Sequence, residues 1–310
     1  MQQRAFYDGE TKKTRILRFG GSSNGEPMDT IDVFFPDEPV TTANYEINQK
    51  MHSARSRLAA GVFGDKIMLV GGAVRDQGSG EVETFDWRTN TISQMDTIRN
   101  ELSGIAIAVT NGDADKRPPE LFACGGLYGL ASEDMCEVFT NEFGWSTERY
   151  GQQIASMPEP RAGAAAVSLG NYIYIIGGGD TQNVLSLSNR VFRYSVVYNS
   201  WQEVASLNTH RLYPAATLYR ESIFTCGGLN EELEELNSCE KYDPSEDTWT
   251  PAASMTKAGS KMGSGLELIN FNGKLLAIHD ETVERYDRTQ QWTATGQLLQ
   301  KRNNFAAVVV

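Results

Sequence analysis

The chain has 310 residues, of which 40% are hydrophobic and 22% are charged, and its formal net charge is −12. This composition is typical of a folded globular protein, and the acidic charge argues against binding to a nucleic-acid backbone, which needs clustered Lys and Arg. No apolar stretch approaches the roughly 18 residues of a membrane span, and residues 1–8 lack the apolar segment of a secretory signal. We therefore expect a cytoplasmic, or alternatively nuclear, protein that binds neither nucleic acid nor membrane.

Pairs of adjacent glycines recur along the chain at steps of 51, 54, 52 and 50 residues. They are Gly20-Gly21, Gly71-Gly72, Gly125-Gly126, Gly177-Gly178 and Gly227-Gly228. A fixed period of this size indicates a repeat architecture, in which each repeat is one small structural unit packed against its neighbours.

Each unit begins with two predicted strands. A strand of small residues, such as Ala164-Ala165-Ala166-Val167, is followed by a short apolar run that ends at the glycine pair, such as Ile173-Tyr174-Ile175-Ile176. Short apolar runs that end in glycine are typical of buried strands. The turns between the two strands favour a tight hairpin and are Gly64-Asp65, Gly170-Asn171 and Asn272-Gly273.

A third predicted strand ends on an aromatic residue in every unit. The six copies end at Phe34, Phe85, Phe139, Tyr194, Tyr242 and Tyr286. A tryptophan follows in four units, at Trp145, Trp201, Trp249 and Trp292, and large rings at these positions predict burial between neighbouring units. A fourth strand is expected to run to Met51, Met95, Met157, Leu207, Met255 or Leu299.

Six units of four antiparallel strands predict an all-β fold, a six-bladed propeller that protects its sheet edges by radial repetition. The glycine pair, the aromatic residue and the spaced tryptophan together resemble the kelch repeat, over nearly the whole chain. The sixth unit departs from the pattern with His279-Asp280 in place of glycines, and the second has Ile92 near the tryptophan position. The first unit lacks the tryptophan.

The predicted organisation is an N-terminal extension over 1–13 and a single propeller over 14–310. The N-terminal unit lacks a strand of small residues, and the C-terminal segment Phe305–Val310 supplies one. We therefore expect the last strand to complete the first blade and close the ring. The predicted blades are 14–51 with 302–310, then 55–95, 99–157, 161–207, 211–255 and 259–299.

Signals for catalysis are weak. His52, His210 and His279 show no metal-ligand spacing, and the nucleophile-elbow spacing around Ser23 lacks the strand-to-helix turn that such an elbow needs. We expect no enzymatic activity, no catalytic residues, no metal ligands and no cofactor. Some kelch-like propellers are enzymes, so a sugar or metal site at the axis remains an alternative.

The four cysteines occupy matched positions in two units. Cys124 and Cys226 precede glycine pairs, and Cys136 and Cys239 open third strands. We interpret them as small buried hydrophobic residues. Cross-strand disulfides Cys124–Cys136 and Cys226–Cys239 are the alternative, which a cytosolic location disfavours.

Two sets of loops are expected to share one face of the propeller, because one set precedes the first strand of each unit and the other follows the glycine pair. The first set is rich in basic residues. The partner-binding candidates in it are Arg55, Arg57, Arg99, Arg161, Arg211, Tyr213, Lys261, Arg302 and Asn304, and those of the second set are Arg75 and Tyr128. Arginine forks suit carboxylates and phosphates.

The same arginines have a structural interpretation, in which they brace the blades or pair with local acids. We give this structural interpretation the same weight as partner binding for five arginines, Arg55, Arg99, Arg161, Arg211 and Arg302. The kelch resemblance favours ligand contact for the positions two residues nearer the strand, because kelch substrate adaptors that grip acidic peptides use this register. Those positions are Arg57, Tyr213, Lys261 (matched here to Arg57) and Asn304.

The resemblance implies a non-enzymatic protein–protein interaction module that binds a peptide or flexible segment, with an acidic motif as one expected ligand. Many kelch-like proteins present substrates to cullin-based ubiquitin ligases through a BTB domain, and these residues contain no such domain. A stand-alone propeller and a fragment of a longer protein both remain open. Some kelch proteins bind actin, which gives the alternative partner.

Overall fold

The computed structural model describes residues 13–38, 44–75, 77–112, 117–180, 186–258 and 265–310. Throughout these ranges the chain is strand and loop without helix, and it forms six four-stranded antiparallel sheets. The predicted all-β class is thereby confirmed. None of the described residues forms a helix long and apolar enough to cross a membrane.

We number the sheets along the chain and the strands of each sheet from first to fourth. Sheet 1 consists of Ala306–Val309, Ile16–Phe19, Ile31–Phe34 and Asn44–Ile47. Sheet 2 consists of Ala59–Phe63, Lys66–Val70, Val82–Asp86 and Thr91–Gln94, and sheet 3 of Ala106–Thr110, Glu120–Cys124, Cys136–Thr140 and Gly144–Ser146. Sheet 4 consists of Ala165–Leu169, Tyr172–Ile176, Val191–Ser195 and Ser200–Val204. Sheet 5 consists of Ala215–Tyr219, Ser222–Cys226, Cys239–Asp243 and Thr248–Ala252, and sheet 6 of Glu267–Phe271, Lys274–Ile278, Thr282–Tyr286 and Trp292–Gln297.

Shorter strands lie in the connections between these elements. Two-stranded hairpins pair Ser22–Ser23 with Glu26–Pro27, Ala73–Val74 with Gln77–Gly78, Gly179–Asp180 with Ser186–Leu187, and Glu148–Arg149 with Gln152–Gln153. A three-stranded sheet joins Leu102–Ser103, Leu127–Tyr128 and Ala131–Ser132.

The two ends of the chain meet in sheet 1. The C-terminal strand pairs antiparallel with the N-terminal one, with Ile16 opposite Val309 and Phe19 opposite Ala306. First strands of successive sheets contact each other from sheet 2 to sheet 6, and the C-terminal strand contacts the first strands of sheets 6 and 2. Apolar clusters fill the spaces between neighbouring sheets, because each sheet buries both of its faces.

The aromatic signature of the repeat is a cross-strand pair. Tyr242 on the third strand of sheet 5 lies opposite Trp249 on the fourth, with ring centroids 5.0 Å apart. Sheets 3, 4 and 6 contain the same pair, whereas in sheet 2 Ile92 lies opposite Phe85. Ile92 therefore fills the tryptophan position, as its place in the sequence suggested.

Three of the tryptophan side chains also donate a hydrogen bond to the segment that follows the fourth strand of the preceding sheet. The indole Nε1 donates to a carbonyl oxygen at 2.7 Å in Trp201 and 2.9 Å in Trp249 and Trp292. The acceptors are Ala155, Ala205 and Ala253 respectively. Among the described residues, the buried Nε1 of Trp145 has no such acceptor.

The fourth strands are shorter than the sequence predicted. They end at Ile47, Gln94, Ser146, Val204, Ala252 and Gln297, before the expected Met or Leu positions. In sheet 3 the difference is largest, because the chain leaves the sheet after Ser146 and forms the extra hairpin of Glu148–Arg149 and Gln152–Gln153.

Both cysteine pairs are disulfides, so the interpretation of four reduced, merely hydrophobic cysteines is wrong. Cys124 lies directly opposite Cys136 and Cys226 directly opposite Cys239, each pair with Cα atoms 4.1 Å apart. The physical reason is register: cysteines directly opposed on neighbouring strands bring their Cβ atoms within bonding reach. Each bridge links the second and third strands of one sheet.

We expect Trp249→Phe to lower the free energy of unfolding by about 1–3 kcal/mol, because the change removes the hydrogen bond to Ala205 and leaves a small cavity. Urea unfolding measures this cost. Trp145→Phe is the control, since it makes the same change in a side chain without a hydrogen bond from Nε1. An equal or larger cost in the control would contradict a stabilising role for the bond.

Candidate functional site

The predicted meeting of two loop sets on one face is confirmed by strand bridges. Ser56, Ala162 and Leu212, which precede first strands, bridge to Ala73, Gly179 and Leu229, which follow glycine pairs. Asn303 bridges to Ser22 in the same way. We call this surface the loop face and the opposite surface, with the tight turns between strands, the turn face.

Five residues with a left-handed backbone conformation, one from each of five sheets, form a hydrogen-bonded chain on the loop face. They are Arg57, Gly104, Gly163, Tyr213 and Asn304, with φ between 53° and 61°. The backbone N–H of Arg57 donates to Asn304, that of Gly104 to Arg57, that of Gly163 to Gly104 and that of Tyr213 to Gly163, at 2.7–3.2 Å. The equivalent register predicted for Arg57, Tyr213 and Asn304 is therefore correct.

The Tyr213 ring lies across the backbone of the two glycines in this chain. A Cβ added to Gly163 would lie 2.7 Å from Tyr213 Cε1, and one added to Gly104 would lie 3.3 Å from the same atom. Because Gly163 has a positive φ and no space for a side chain, glycine is required there. The half-buried Tyr213 thus presents its phenol beside the line of left-handed residues.

Three of the candidate arginines are buried in one repeated arrangement. Arg55, Arg211 and Arg302 are each 0% exposed. In Arg211, Nη1 donates to the carbonyl oxygens of Gly227 at 2.9 Å and Ser238 at 3.0 Å, and Nη2 lies 3.2 Å from Oε1 of Glu240. Arg55 makes the same contacts with Gly71, Glu81 and Glu83, and Arg302 with Gly20, Thr30 and Asp32.

Arg161 is buried in a modified form of this arrangement. Sheet 4 has Phe192 at the position of the acid, and the Arg161 guanidinium stacks on its ring at 5.2 Å from the centroid. Its Nη2 donates to Glu159. Burial lowers the pKa of Arg161, Arg211 and Arg302, and the adjacent acids partly offset this effect.

The arginine arrangement also joins neighbouring sheets. The carbonyl oxygen of Arg161 accepts a hydrogen bond from Gly126 of sheet 3 at 2.7 Å, and those of Arg55 and Arg211 accept from Gly21 and Gly178. A Cβ on Gly125 would lie 2.1 Å from the Arg161 carbonyl oxygen. The loop that contains the arginine of the next sheet therefore packs directly against the glycine pair, where a side chain would not fit.

Sheets 3 and 6 depart from this arrangement. In sheet 3 the carbonyl that bonds to Gly72 belongs to Leu102, so Leu102 and not Arg99 occupies the arginine position. Arg99 is exposed, and its backbone N–H donates to Glu137. In sheet 6 the buried Glu284 lies 3.0 Å from Nε2 of His279, whose pKa is lowered by burial.

These positions correct the candidate set. Burial leaves Arg55, Arg161, Arg211 and Arg302 no surface with which to contact a partner, because their guanidinium groups are used inside the protein. Arg99 lies on the surface but outside the matched register. Sequence spacing alone did not separate the buried arginines from the residues that reach the loop face, because both recur along the chain at nearly the same step.

Other candidates keep their place on the loop face. Arg75 is exposed and Tyr128 is 52% exposed, while Arg57 is half-buried and Asn304 buried. Lys261 lies outside the described residues. Gly265, two residues before the first strand of sheet 6, stands at the register that Arg57 occupies before its own strand.

The first strand of sheet 6 differs from the other five at its first residue. Five first strands begin with alanine, at Ala59, Ala106, Ala165, Ala215 and Ala306, and the sixth begins with Glu267. Burial raises the pKa of the Glu267 carboxyl from 4.5 to about 8. Within the described ranges no side chain donates a hydrogen bond to it, which sequence reasoning had not singled out.

Catalytic groupings are sparse in the described part of the chain. No three His, Cys, Asp or Glu residues there are placed to hold a metal ion. Ser23 lies in a two-residue strand of a hairpin, not at a strand-to-helix turn.

Comparison with known proteins identifies the repeat. The family model for the Kelch motif matches residues 160–208 and 210–256, which contain sheets 4 and 5. Kelch repeat and BTB domain-containing protein 1 of camelpox virus is 26% identical over 200 residues, covering 61% of this chain and 32% of that protein. Alpha-scruin of Limulus polyphemus is 25% identical over 307 residues, covering 88% of this chain and 31% of that protein. The chain contains kelch motifs over sheets 4 and 5, and it spans about a third of the length of these two relatives.

We expect Arg211→Met to lower the free energy of unfolding by about 3–5 kcal/mol, because the change leaves Glu240 buried without its cation. Adding Glu240→Gln should recover part of the loss, since no unpaired charge then remains. The control is Arg99→Met, at an exposed position, with an expected cost within about 0.5 kcal/mol. Urea unfolding measures the free energy of unfolding of the three variants. Equal losses for Arg211→Met and Arg99→Met would refute the bracing role of Arg211.

Glu267 predicts a pH dependence of stability. The folded state holds this proton more tightly than the unfolded state, so stability falls as pH rises between 4.5 and about 8. Glu267→Gln removes this effect and should gain on the order of 1–3 kcal/mol over the wild type on going from pH 5 to pH 8. Thermal melts across this range, with exposed Glu232→Gln as control, measure it, and parallel curves for wild type and Glu267→Gln would contradict it.

Proposed function

We propose that the six sheets are the blades of one closed propeller over residues 14–310, and that its loop face binds a peptide or flexible segment of a partner protein. The ring is supported by the pairing of the two chain ends in sheet 1 and by the contacts between successive first strands. The chain of left-handed residues that links five sheets on the loop face supports the same arrangement.

The observation that carries the binding proposal is the separation of roles on the loop face. The bracing arginines are buried, and a second group of cationic and aromatic side chains projects from the neighbouring loops: Arg57, Arg75, Tyr128 and Tyr213. On a protein of net charge −12, basic and aromatic groups that converge on one face favour an acidic ligand. Aromatic and arginine side chains are also the residues that commonly dominate binding energy.

The kelch family supplies two finer proposals about the partner. One is substrate recognition for a cullin-type ubiquitin ligase, in keeping with the Kelch and BTB architecture named for the viral relatives. The other is binding to actin filaments. Co-sedimentation with filamentous actin separates them, since an adaptor has no reason to pellet with filaments.

The test of the loop face is fluorescence polarisation of the purified protein with labelled pools of acidic, neutral and basic peptides. We expect acidic pools to bind and the double variant Arg57→Glu with Arg75→Glu to lose roughly tenfold or more in affinity, as for the loss of charged contacts. Arg88→Glu with Arg220→Glu makes the same change of charge at exposed positions on the turn face and is the matched control.

Thermal melts establish that each variant is folded. Arg75→Glu with Tyr128→Ala repeats the test at exposed positions only, should Arg57→Glu unfold the protein. The proposal fails if the acidic pools bind the wild type and both loop-face variants equally, or if they do not bind the wild type.

A further inference from the structure

The turn face of sheet 3 carries an extra hairpin, formed by Glu148–Arg149 and Gln152–Gln153, beside the turn that joins its third and fourth strands. None of the other four-stranded sheets, as far as the structure describes them, has a two-stranded hairpin at this place. The hairpin has no role in the loop-face site, because it lies at the opposite ends of the strands.

A buried ion pair fixes the hairpin in place. Arg149 donates from Nε and Nη2 to the two carboxylate oxygens of Glu120, at 2.6 and 2.9 Å. Its Nη1 donates at 2.7 Å to the carbonyl oxygen of Val196, directly after the third strand of sheet 4. Glu120 is 1% exposed, so the pair is held inside and ties the hairpin to two sheets. The surface that the hairpin presents is therefore preorganised.

That surface is an open groove with aromatic walls. Phe143, at the tip of the neighbouring turn, is 66% exposed, and Tyr150, at the tip of the hairpin, is 60% exposed. Both rings line a pocket of about 130 Å³, which Pro118 and Val138 also line. A second pocket of about 20 Å³ shares Pro118 and Glu120 with it and is also lined by Asn171, in the turn between the first two strands of sheet 4. The larger pocket is smaller than the roughly 300–1,000 Å³ of typical small-molecule sites, so it suits one apolar side chain of an extended segment.

The rim of the groove is negatively charged. Glu142 and Glu148 are exposed, and in the described part of the chain no cation pairs with either carboxylate. Two arginines also line the groove: Arg149 is paired with Glu120 and lies 4.7 Å from the Tyr150 ring centroid, and Arg117 donates to Oδ1 of Asn171 at 2.6 Å. An apolar floor with two carboxylates at its edge complements an apolar side chain with cations beside it.

We propose that this groove binds an extended segment of a partner protein in which an apolar side chain is flanked by Lys or Arg. The apolar side chain enters between Phe143 and Tyr150, and the flanking cations meet Glu142 and Glu148 and the faces of the exposed rings. Solvent-exposed aromatic side chains in a pocket are common anchors of protein interfaces, and cations over aromatic rings add to the attraction. The protein would thus bind a basic segment on the turn face, independently of the ligand of the loop face.

The test is fluorescence anisotropy of the purified 310-residue protein with a labelled pentapeptide that has leucine between two lysines and serine at each end. Two reference peptides replace the lysines with glutamate or the leucine with serine. We expect the lysine–leucine peptide to bind more tightly than both. Glu142→Lys with Glu148→Lys, and separately Phe143→Ala, should each weaken it roughly tenfold, as two surface ion pairs and an aromatic contact imply.

Matched controls lie elsewhere on the molecule. Glu231→Lys with Glu232→Lys reverses two exposed acids of the sheet 5 loop, and Tyr45→Ala removes an exposed ring from the fourth strand of sheet 1. Both should leave the affinity within roughly twofold of wild type, as expected for residues outside the contact. The proposal is overturned if the wild type does not bind at about 1 mM peptide, if the glutamate peptide binds equally, or if a control variant loses as much as Glu142→Lys with Glu148→Lys. These readouts are separate from those of the loop face, which concern acidic peptides and other residues.

Discussion

The arrangement of the sheets depends on a buried arginine that bonds to two sheets at once. Its guanidinium donates to two carbonyl oxygens and an acid of its own sheet, and its backbone carbonyl accepts from the second glycine of the sheet before. Burying a guanidinium is costly unless hydrogen bonds and a nearby acid compensate it, so the side chain fixes the positions of the acceptors that it contacts. The glycine pair, the third-strand acid and the arginine are therefore one physical unit, repeated with variations around the molecule.

This unit divides the loop face into a fixed and a variable part. The fixed part comprises the buried arginines and the hydrogen-bonded chain through Arg57, Tyr213 and Asn304. The variable part comprises the loops after the glycine pairs, where Arg75 and Tyr128 are exposed and differ from one sheet to the next. Residues without a bracing role are free to differ among sheets, and these are the residues on which recognition depends in our proposal.

Sheet 3 departs most from the repeat, and its departures lie at both ends of its strands. On the loop face Leu102 replaces the bracing arginine, and on the turn face the chain after Ser146 forms an additional hairpin. The hairpin is held by the buried pair of Arg149 and Glu120. The same sheet therefore contributes Tyr128 to the proposed loop-face site and also carries the acidic, aromatic groove of the turn face, and in our proposals the two sites bind ligands of opposite charge.

The sequence by itself determined the strand order, the all-β class and the meeting of the chain ends, because glycine pairs, short apolar runs and terminal aromatic residues act through local periodicity. For the same reason it gave Tyr213 and Asn304 the register before the first strand that they share with Arg57. Only the tertiary structure decided that Arg55 and Arg211 are interior, that Leu102 stands where Arg99 was expected, and that the cysteines are bridged. Those outcomes depend on which carbonyl, carboxylate or sulfur of a distant segment comes within bonding distance, and spacing along one chain does not specify that distance.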